Sequence, residues 1–206
     1  MIVATGVMPY RLDVPGAAEY LGHGLGYSAT TYARQLEGKR VAVIGNTLRA
    51  LRGAAEVAQG AQQVYLLPGV DGAGDPLLEM MRRQPNVAVL DGYEVVALDG
   101  ATYLERLVVA HGDELQALAV DAAFADLGLR PNSLAVRELA ALDAEGFVVV
   151  DARQATSVPG LFAAGDVATS FGEQLLIATG DGARAALGAY DYLLAKRMLD
   201  GLGGRD

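Results

Sequence analysis

The sequence predicts an α/β fold built on a parallel sheet, and three of its features carry that prediction. First, residues 38–44 close on Val41-Ala42-Val43-Ile44-Gly45, followed by a helical stretch over 49–58 and a second apolar run over 63–67. Strand, turn, helix and strand at this spacing make a βαβ unit. Second, residues 87–120 break into short alternating strands separated by Asp91-Gly92, Asp99-Gly100 and Gly112-Asp113, the punctuation of a β-meander. Third, Leu161-Phe162-Ala163-Ala164 is a continuous apolar run between the turn Pro159-Gly160 and the pair Gly165-Asp166. Such a run suits a parallel strand buried on both faces.

Composition bounds what such a fold can do. At 206 residues and 52% hydrophobic content, the chain can form one domain or two small ones with a real core. Twenty-six glycines against seven prolines fit an architecture with many tight turns. A net charge of -9 argues against nucleic acid or an anionic membrane as partner. Apolar runs are short and broken by charge, so no transmembrane helix is expected. The first residues lack the basic start and apolar core of a signal peptide, which favours the cytoplasm. With no cysteine in the sequence, disulfides, thiolate catalysis and cysteine metal sites are excluded. His23 and His111 stand away from carboxylate clusters and read as surface imidazoles, with no metal site.

Taken in order, residues 1–5 read as a strand ended by Gly6, and 9–26 as a loop with a turn at Pro15-Gly16. The strand over 38–44, the helix over 49–58 and the strand over 63–67 form the βαβ start. Residues 76–83 follow as a helix capped by Asp75, with Pro76 at its first position. The meander strands are expected over 87–90, 94–98, 104–110 and 115–120. Residues 121–127 return to the parallel sheet and leave it through Gly128-Leu129-Arg130-Pro131-Asn132. Residues 143–150 read as a hairpin arm. A long Ala/Leu-rich helix opens at Ala178-Thr179-Gly180-Asp181-Gly182-Ala183, with Gln174 just before it.

Several of these motifs, in this order, resemble the thioredoxin reductase branch of the pyridine nucleotide-disulfide oxidoreductases. They are Ala4-Thr5-Gly6, Val41-Ala42-Val43-Ile44-Gly45, Pro131-Asn132, the stretch 159–166 and Gly180-Asp181-Gly182. The resemblance covers nearly the whole chain. It implies a Rossmann-like NAD(P)-type domain with a three-layer sheet and meander over 10–135. Residues 1–9 and 136–206 would then be the C-terminal part of an FAD-binding domain. The Gly-rich first half of that domain, which the family places before Ala4-Thr5-Gly6, is not in the sequence.

The site residues follow from the same resemblance. Thr5 and Gly6 would lie near the flavin phosphates or adenine side, and Gly165 and Asp166 at the ribityl chain or pyrophosphate. Gln174 and Leu175 would meet the isoalloxazine edge, with the following helix aiming its positive end at the flavin pyrimidine. Gly45 and Arg49 belong to the second nucleotide loop, Gly45-Asn46-Thr47-Leu48-Arg49-Ala50. There Thr47 stands where a glycine should let the backbone approach a diphosphate, so NAD(P)H binding is doubtful; Arg49 and Arg52 would be left to attract a phosphate. The family's His-Arg-Arg phrase falls on the uncharged Pro68-Gly69-Val70, and its Cys-Ala-Thr-Cys-Asp phrase on Ser28-Ala29-Thr30-Thr31-Tyr32. Hydroxyls cannot carry a disulfide couple, so no catalytic residue is assigned.

Two functions stay open at this point. In one, the chain is a redox enzyme or subunit holding FAD, with a separate chain supplying the first FAD half. In the other, it is a non-catalytic nucleotide-binding or protein-interaction module that keeps the fold. Either way a partial FAD half should expose apolar faces, such as residues 161–164, and form a homo- or hetero-oligomer.

Overall fold

A computed structural model of the chain describes residues 1–69, 75–170 and 172–203, with side chains through residue 199. The chain divides into two compact units, one of Pro9–Gly128 and the other of Met1–Met8 with Leu129–Asp206. In the first unit, strands β3 (Leu25–Gly26), β4 (Arg40–Ile44), β5 (Gln63–Leu67), β6 (Val87–Val89) and β10 (Ala122–Ala125) form a parallel sheet in the order β3-β10-β4-β5-β6. Helices α2 (Ala29–Tyr32), α3 (Leu48–Ala58) and α4 (Pro76–Met81) pack on one face. On the other face lie α1 (Ala17–Tyr20) and an antiparallel meander, β7 (Glu94–Gly100), β8 (Leu104–His111) and β9 (Glu114–Ala119).

This three-layer arrangement follows from residue parity. Successive side chains of a strand point to opposite faces. Val41, Val43, Val64, Leu66, Ala122 and Phe124 pack with the helices, whereas Ala42, Ile44, Leu67, Ala123 and Ala125 pack with the meander. Both sets are apolar, which is why these strands read as unbroken hydrophobic runs. Helix α3 buries Ala50, Leu51, Ala54 and Val57 and leaves Arg52 and Glu56 in water, the 3.6-residue pattern of a surface helix. Asp75 caps α4, its carboxylate accepting from the N–H of Leu77 at 2.7 Å.

Three expectations change in this region. Residues 9–26 hold α1 and β3 as well as loop, and residue 9 ends β2 (Val7–Pro9). A four-residue helix and two-residue strands are too short to leave a periodic signal. Strand β6 belongs to the parallel sheet, not the meander: its residues pair with Val64, Tyr65 and Leu66 of β5. Residues 143–150 form no hairpin strand, only isolated bridges from Val148 to Leu142 and to Ala168. Asp143 there accepts from the N–H groups of Glu145 and Phe147, which folds the segment into a turn.

In the second unit β1 (Ile2–Val3) pairs in parallel with β12 (Phe162–Ala163), so the predicted first strand is real but two residues long. Strand β11 (Leu129–Pro131) pairs with β2 where the chain leaves and re-enters this unit. Parity again divides the apolar run: Leu161 and Ala163 pack with Val3, Val136, Val148 and Val167, while Phe162 and Ala164 pack with Ala185 of the long helix α5 (Leu175–Gly203). Residues 161–164 are therefore buried, against the expectation that they form an exposed face. Exposed apolar side chains of this unit include Leu134 and Leu139, and on α5 Leu175, Leu176, Leu187, Leu193 and Met198 all face solvent. No helix among the described residues is long and apolar enough to cross a membrane.

Leu107 of β8 is fully buried between the meander and the parallel sheet. Leu107→Ala should destabilise the protein by about 3 kcal/mol, measured as a lowered urea midpoint with little change in m-value.

Candidate functional site

The predicted site residues fall in three places. Thr5 and Gly6 lie at the crossing into the second unit. The Thr5 hydroxyl donates to the Asn132 carbonyl at 2.7 Å, and the Asn132 amide donates to the Thr5 carbonyl at 2.9 Å. The backbone N–H of Asn132 adds a third bond, to Gly6 at 2.9 Å. The Ala-Thr-Gly and Pro-Asn phrases, 127 residues apart, are thus one reciprocal clasp.

Gly45 and Arg49 lie in the first unit, at the carboxyl ends of the parallel strands. Gly45 has φ +132°, and a Cβ on it would meet the Asp126 carbonyl oxygen at 2.0 Å, so only glycine fits. Thr47 caps α3, its hydroxyl oxygen accepting from the Ala50 N–H at 2.9 Å and its O–H donating to Asp126 Oδ1 at 3.2 Å. Arg49 grips the same carboxylate with both arms of its guanidinium, each at 2.6 Å. Asp126 is 3% exposed and Arg49 30%. Arg49 is therefore engaged by an internal carboxylate. This loop does not fit a dinucleotide. Its hydroxyl, its cation and the carboxylate close on one another, and the branched Thr47 occupies the position that needs a glycine. Val70, the last residue of the Pro68-Gly69-Val70 phrase, lies outside the described residues.

Ser28 and Thr31 are also close, the Thr31 hydroxyl donating to the Ser28 hydroxyl at 3.1 Å. A hydrogen bond stands where the resemblance puts a cysteine pair, and it transfers no electrons. Among the described residues no group of His, Asp and Glu is arranged to hold a metal. His23 and His111 pack against Tyr103 and Tyr93 instead.

Gly165, Asp166, Gln174 and Leu175 come together in the second unit. Strand β12 ends in a single 3-10 turn, Gly165–Val167. Gly165 has φ +70°, and a Cβ on it would press on Ala178 of α5 at 3.3 Å. The left-handed glycine so lets the turn sit against the start of α5 while Asp166 projects, half-buried, into a cavity of about 390 Å³. Asp143, Phe147, Thr169, Ser170 and Glu173 line the same cavity. Gln174 and Leu175 are exposed at the first turn of α5, where the Gln174 carbonyl accepts from the Ala178 N–H. The leading N–H groups of such a helix have no partner within it and carry its positive end. These residues fit the lower part of a flavin. Asp166 and Glu173 line one concavity, Gly165 packs against Ala178 of α5, and Gln174 and Leu175 follow Glu173 without lining the cavity themselves.

Sequence reasoning missed the support beneath that turn. Asp181 of α5 is fully buried, and accepts from Gln154 Nε2 at 3.2 Å and from the Arg184 guanidinium. Gln154 is buried too, in the left-handed region at φ +63°, a conformation that costs a non-glycine residue about 1 kcal/mol. Burial pushes the Asp181 carboxyl up, but the Ser170 hydroxyl, Arg184 and the Gly165 N–H more than offset it, and its pKa falls below the ordinary value. The only signal in the sequence was an acid inside Gly-Asp-Gly.

Both carboxylates can be tested by substitution. Arg49→Met leaves Asp126 buried without its partner and should destabilise the protein by about 3 kcal/mol; adding Asp126→Leu should recover most of the loss in the same denaturant titration. Because the folded-state pKa of Asp181 is depressed, its contribution is complete above the ordinary value near 3.8 and vanishes as pH falls through the folded-state value. The stability gap between the wild type and Asp181→Asn, followed by thermal unfolding, should therefore be constant from pH 7 to 5 and narrow below pH 4.

Known proteins share this arrangement. Residues 1–186 match the family described as pyridine nucleotide-disulphide oxidoreductase. The F component of the alkyl hydroperoxide reductase of Pseudomonas putida is 36% identical over 203 residues, covering 94% of this chain and 38% of the relative. A Bacillus subtilis NADH dehydrogenase is 34% identical over 203 residues, covering 94% and 39%. Among solved structures, thioredoxin reductase from Streptococcus pyogenes superposes with a TM-score of 0.82 at 27% identity, and that from Giardia duodenalis with 0.83 at 25%. In both cases 94% of this chain and 65% of the other are covered. The chain thus spans less than two fifths of the length of the curated relatives it matches. With the parallel sheet, the inserted meander and the Gly165-Asp166 turn all in the order this match requires, the chain belongs to the pyridine nucleotide-disulphide oxidoreductase family.

Proposed function

We propose that this chain is the flavin-closing part of an FAD-linked oxidoreductase that performs no thiol–disulfide exchange, completed by a partner segment or chain that carries the first half of the FAD site. The observation that carries this reading is the half-buried Asp166 in a cavity that it shares with Glu173, two residues before α5 begins. FAD, when bound, supplies the two-electron carrier. The residues of this chain bind and orient it. Asp166 accepts hydrogen bonds from the ribityl hydroxyls; with Asp143 and Glu173 also lining the cavity, hydroxyls suit this wall better than phosphates do. The leading N–H groups of α5, beside Gln174 and Leu175, favour negative charge on the flavin pyrimidine.

In this reading Pro9–Gly128 keeps the shape of a pyridine-nucleotide domain without its cradle, because Thr47 and the Arg49–Asp126 pair fill the loop. The relatives bring NADH dehydrogenase and hydroperoxide reductase chemistry into view, but here the electron donor is held by the partner, in the cytoplasm. The solvent-facing leucines of α5 support such an assembly. The same closed loop favours a second reading, a non-catalytic module in which the fold survives as an interaction surface.

Titration of the purified protein with FAD, followed by flavin fluorescence with and without NADH or NADPH, separates the two. Expected are weak FAD binding to the wild type, at least tenfold weaker binding to Asp166→Ala, and no change with either nicotinamide. A chain that FAD neither binds nor stabilises, and that brings no small Gly-rich flavoprotein with it on purification, establishes the module reading.

A further inference from the structure

A second concavity lies in the first unit, at the end of the sheet opposite the Gly45 loop. Strand β10 carries Asp126 after its last residue and Asp121 before its first, and the cavity opens at the Asp121 end, beside the edge strand β3. Its volume is about 310 Å³, at the small end of the range for sites that hold a one- or two-ring molecule. The wall is apolar and aromatic: Leu25, Leu36, and the rings of Tyr32 and Phe124, stacked with centroids 5.9 Å apart and planes 26° apart. Gly22, Gly24 and Gly26 contribute backbone without side chains.

Two charges stand at this wall, and they are not equivalent. Asp121 is committed. Arg40 donates to it three times, from the backbone N–H at 2.8 Å, from Nε at 3.2 Å and from a terminal nitrogen at 3.0 Å. Lys39 is exposed and acts on Asp121 through space, whereas the salt bridge to Asp121 is made by Arg40. The backbone of Lys39 is nevertheless pinned, its N–H donating to Leu36 at 3.1 Å and its carbonyl accepting from Gln62 at 2.9 Å. The cavity thus pairs stacked aromatic rings with a lysine whose backbone is fixed, and Arg40 and Lys39 together outweigh the single charge of Asp121.

We propose that this cavity binds a small planar aromatic carboxylate, its ring against Tyr32 and Phe124 and its carboxylate on Lys39. Charge complementarity selects an anion, because the acid at the wall, Asp121, is already neutralised by Arg40. The ring pair selects a flat apolar body over a sugar or a bare phosphate. The site is separate from the flavin-binding reading and does not depend on it.

The probe is naphthalene-2-carboxylate, titrated into the ¹⁵N-labelled protein with amide shifts followed by NMR. Shifts should concentrate on Gly22, Gly24, Gly26, Leu36 and Ala122. Lys39→Gln should weaken the probe at least fivefold, leaving binding of the uncharged 2-naphthalenemethanol unchanged, and Tyr32→Ala should weaken both. Saturable shifts on the exposed leucines of α5 alone, no shifts at millimolar probe, or equal affinity of wild type and Lys39→Gln would each overturn the proposal.

Discussion

A carboxylate cannot stay buried at the end of a sheet strand unless a cation and hydrogen-bond donors come to it. Asp126 imposes that condition at the carboxyl end of β10, and the neighbouring loop is shaped by it. Arg49 turns its guanidinium inward, Thr47 bonds the same carboxylate while capping α3, and Gly45 lies so close to the Asp126 backbone that no side chain fits. In an open α/β sheet this crevice is where a ligand is expected. Here side chains fill it, and the parallel sheet is locked at the point where it would otherwise open.

The second unit solves the opposite problem, keeping a crevice open. Its sheet pairing is only two residues deep, so the turn after β12 is held largely from behind. The Thr5–Asn132 clasp fixes the two passes of the chain, and buried Asp181 ties α5 to the Gln154 turn. Gln154 accepts a left-handed backbone to reach that carboxylate, which is the kind of local cost a structure carries where geometry matters. Asp166, by contrast, remains half-buried at the mouth of a cavity.

The two halves of the chain therefore bear on function differently. In the first unit hydroxyls stand at both positions where the resemblance puts sulfur, and Thr47, Arg49 and Asp126 bond to one another in the Gly45 loop; in the second unit Asp166 faces a cavity. Family membership rests on the match over residues 1–186.

Much of this was legible in the sequence. The unbroken apolar strands, the Asp-Gly turns of the meander, the Asp75-Pro76 cap and the Gly165-Asp166 strand end are local patterns, and local patterns survive in one dimension. The absence of cysteine decided the thiol chemistry by itself. What the sequence did not hold was pairing over distance. Nothing marks Asp126 as the partner of Arg49, 77 residues earlier, or Asn132 as the partner of Thr5. Residues 87–89 alternate like a meander strand, and only the hydrogen bonds of β5 draw them into the parallel sheet. Residues 161–164 looked exposable until α5 and the 136–148 segment covered both faces. Composition and periodicity fix which side chains can be buried and which turns can form; which charge meets which, and so whether a loop is a cradle or a lock, is settled only when the folded chain brings distant residues within a hydrogen bond of each other.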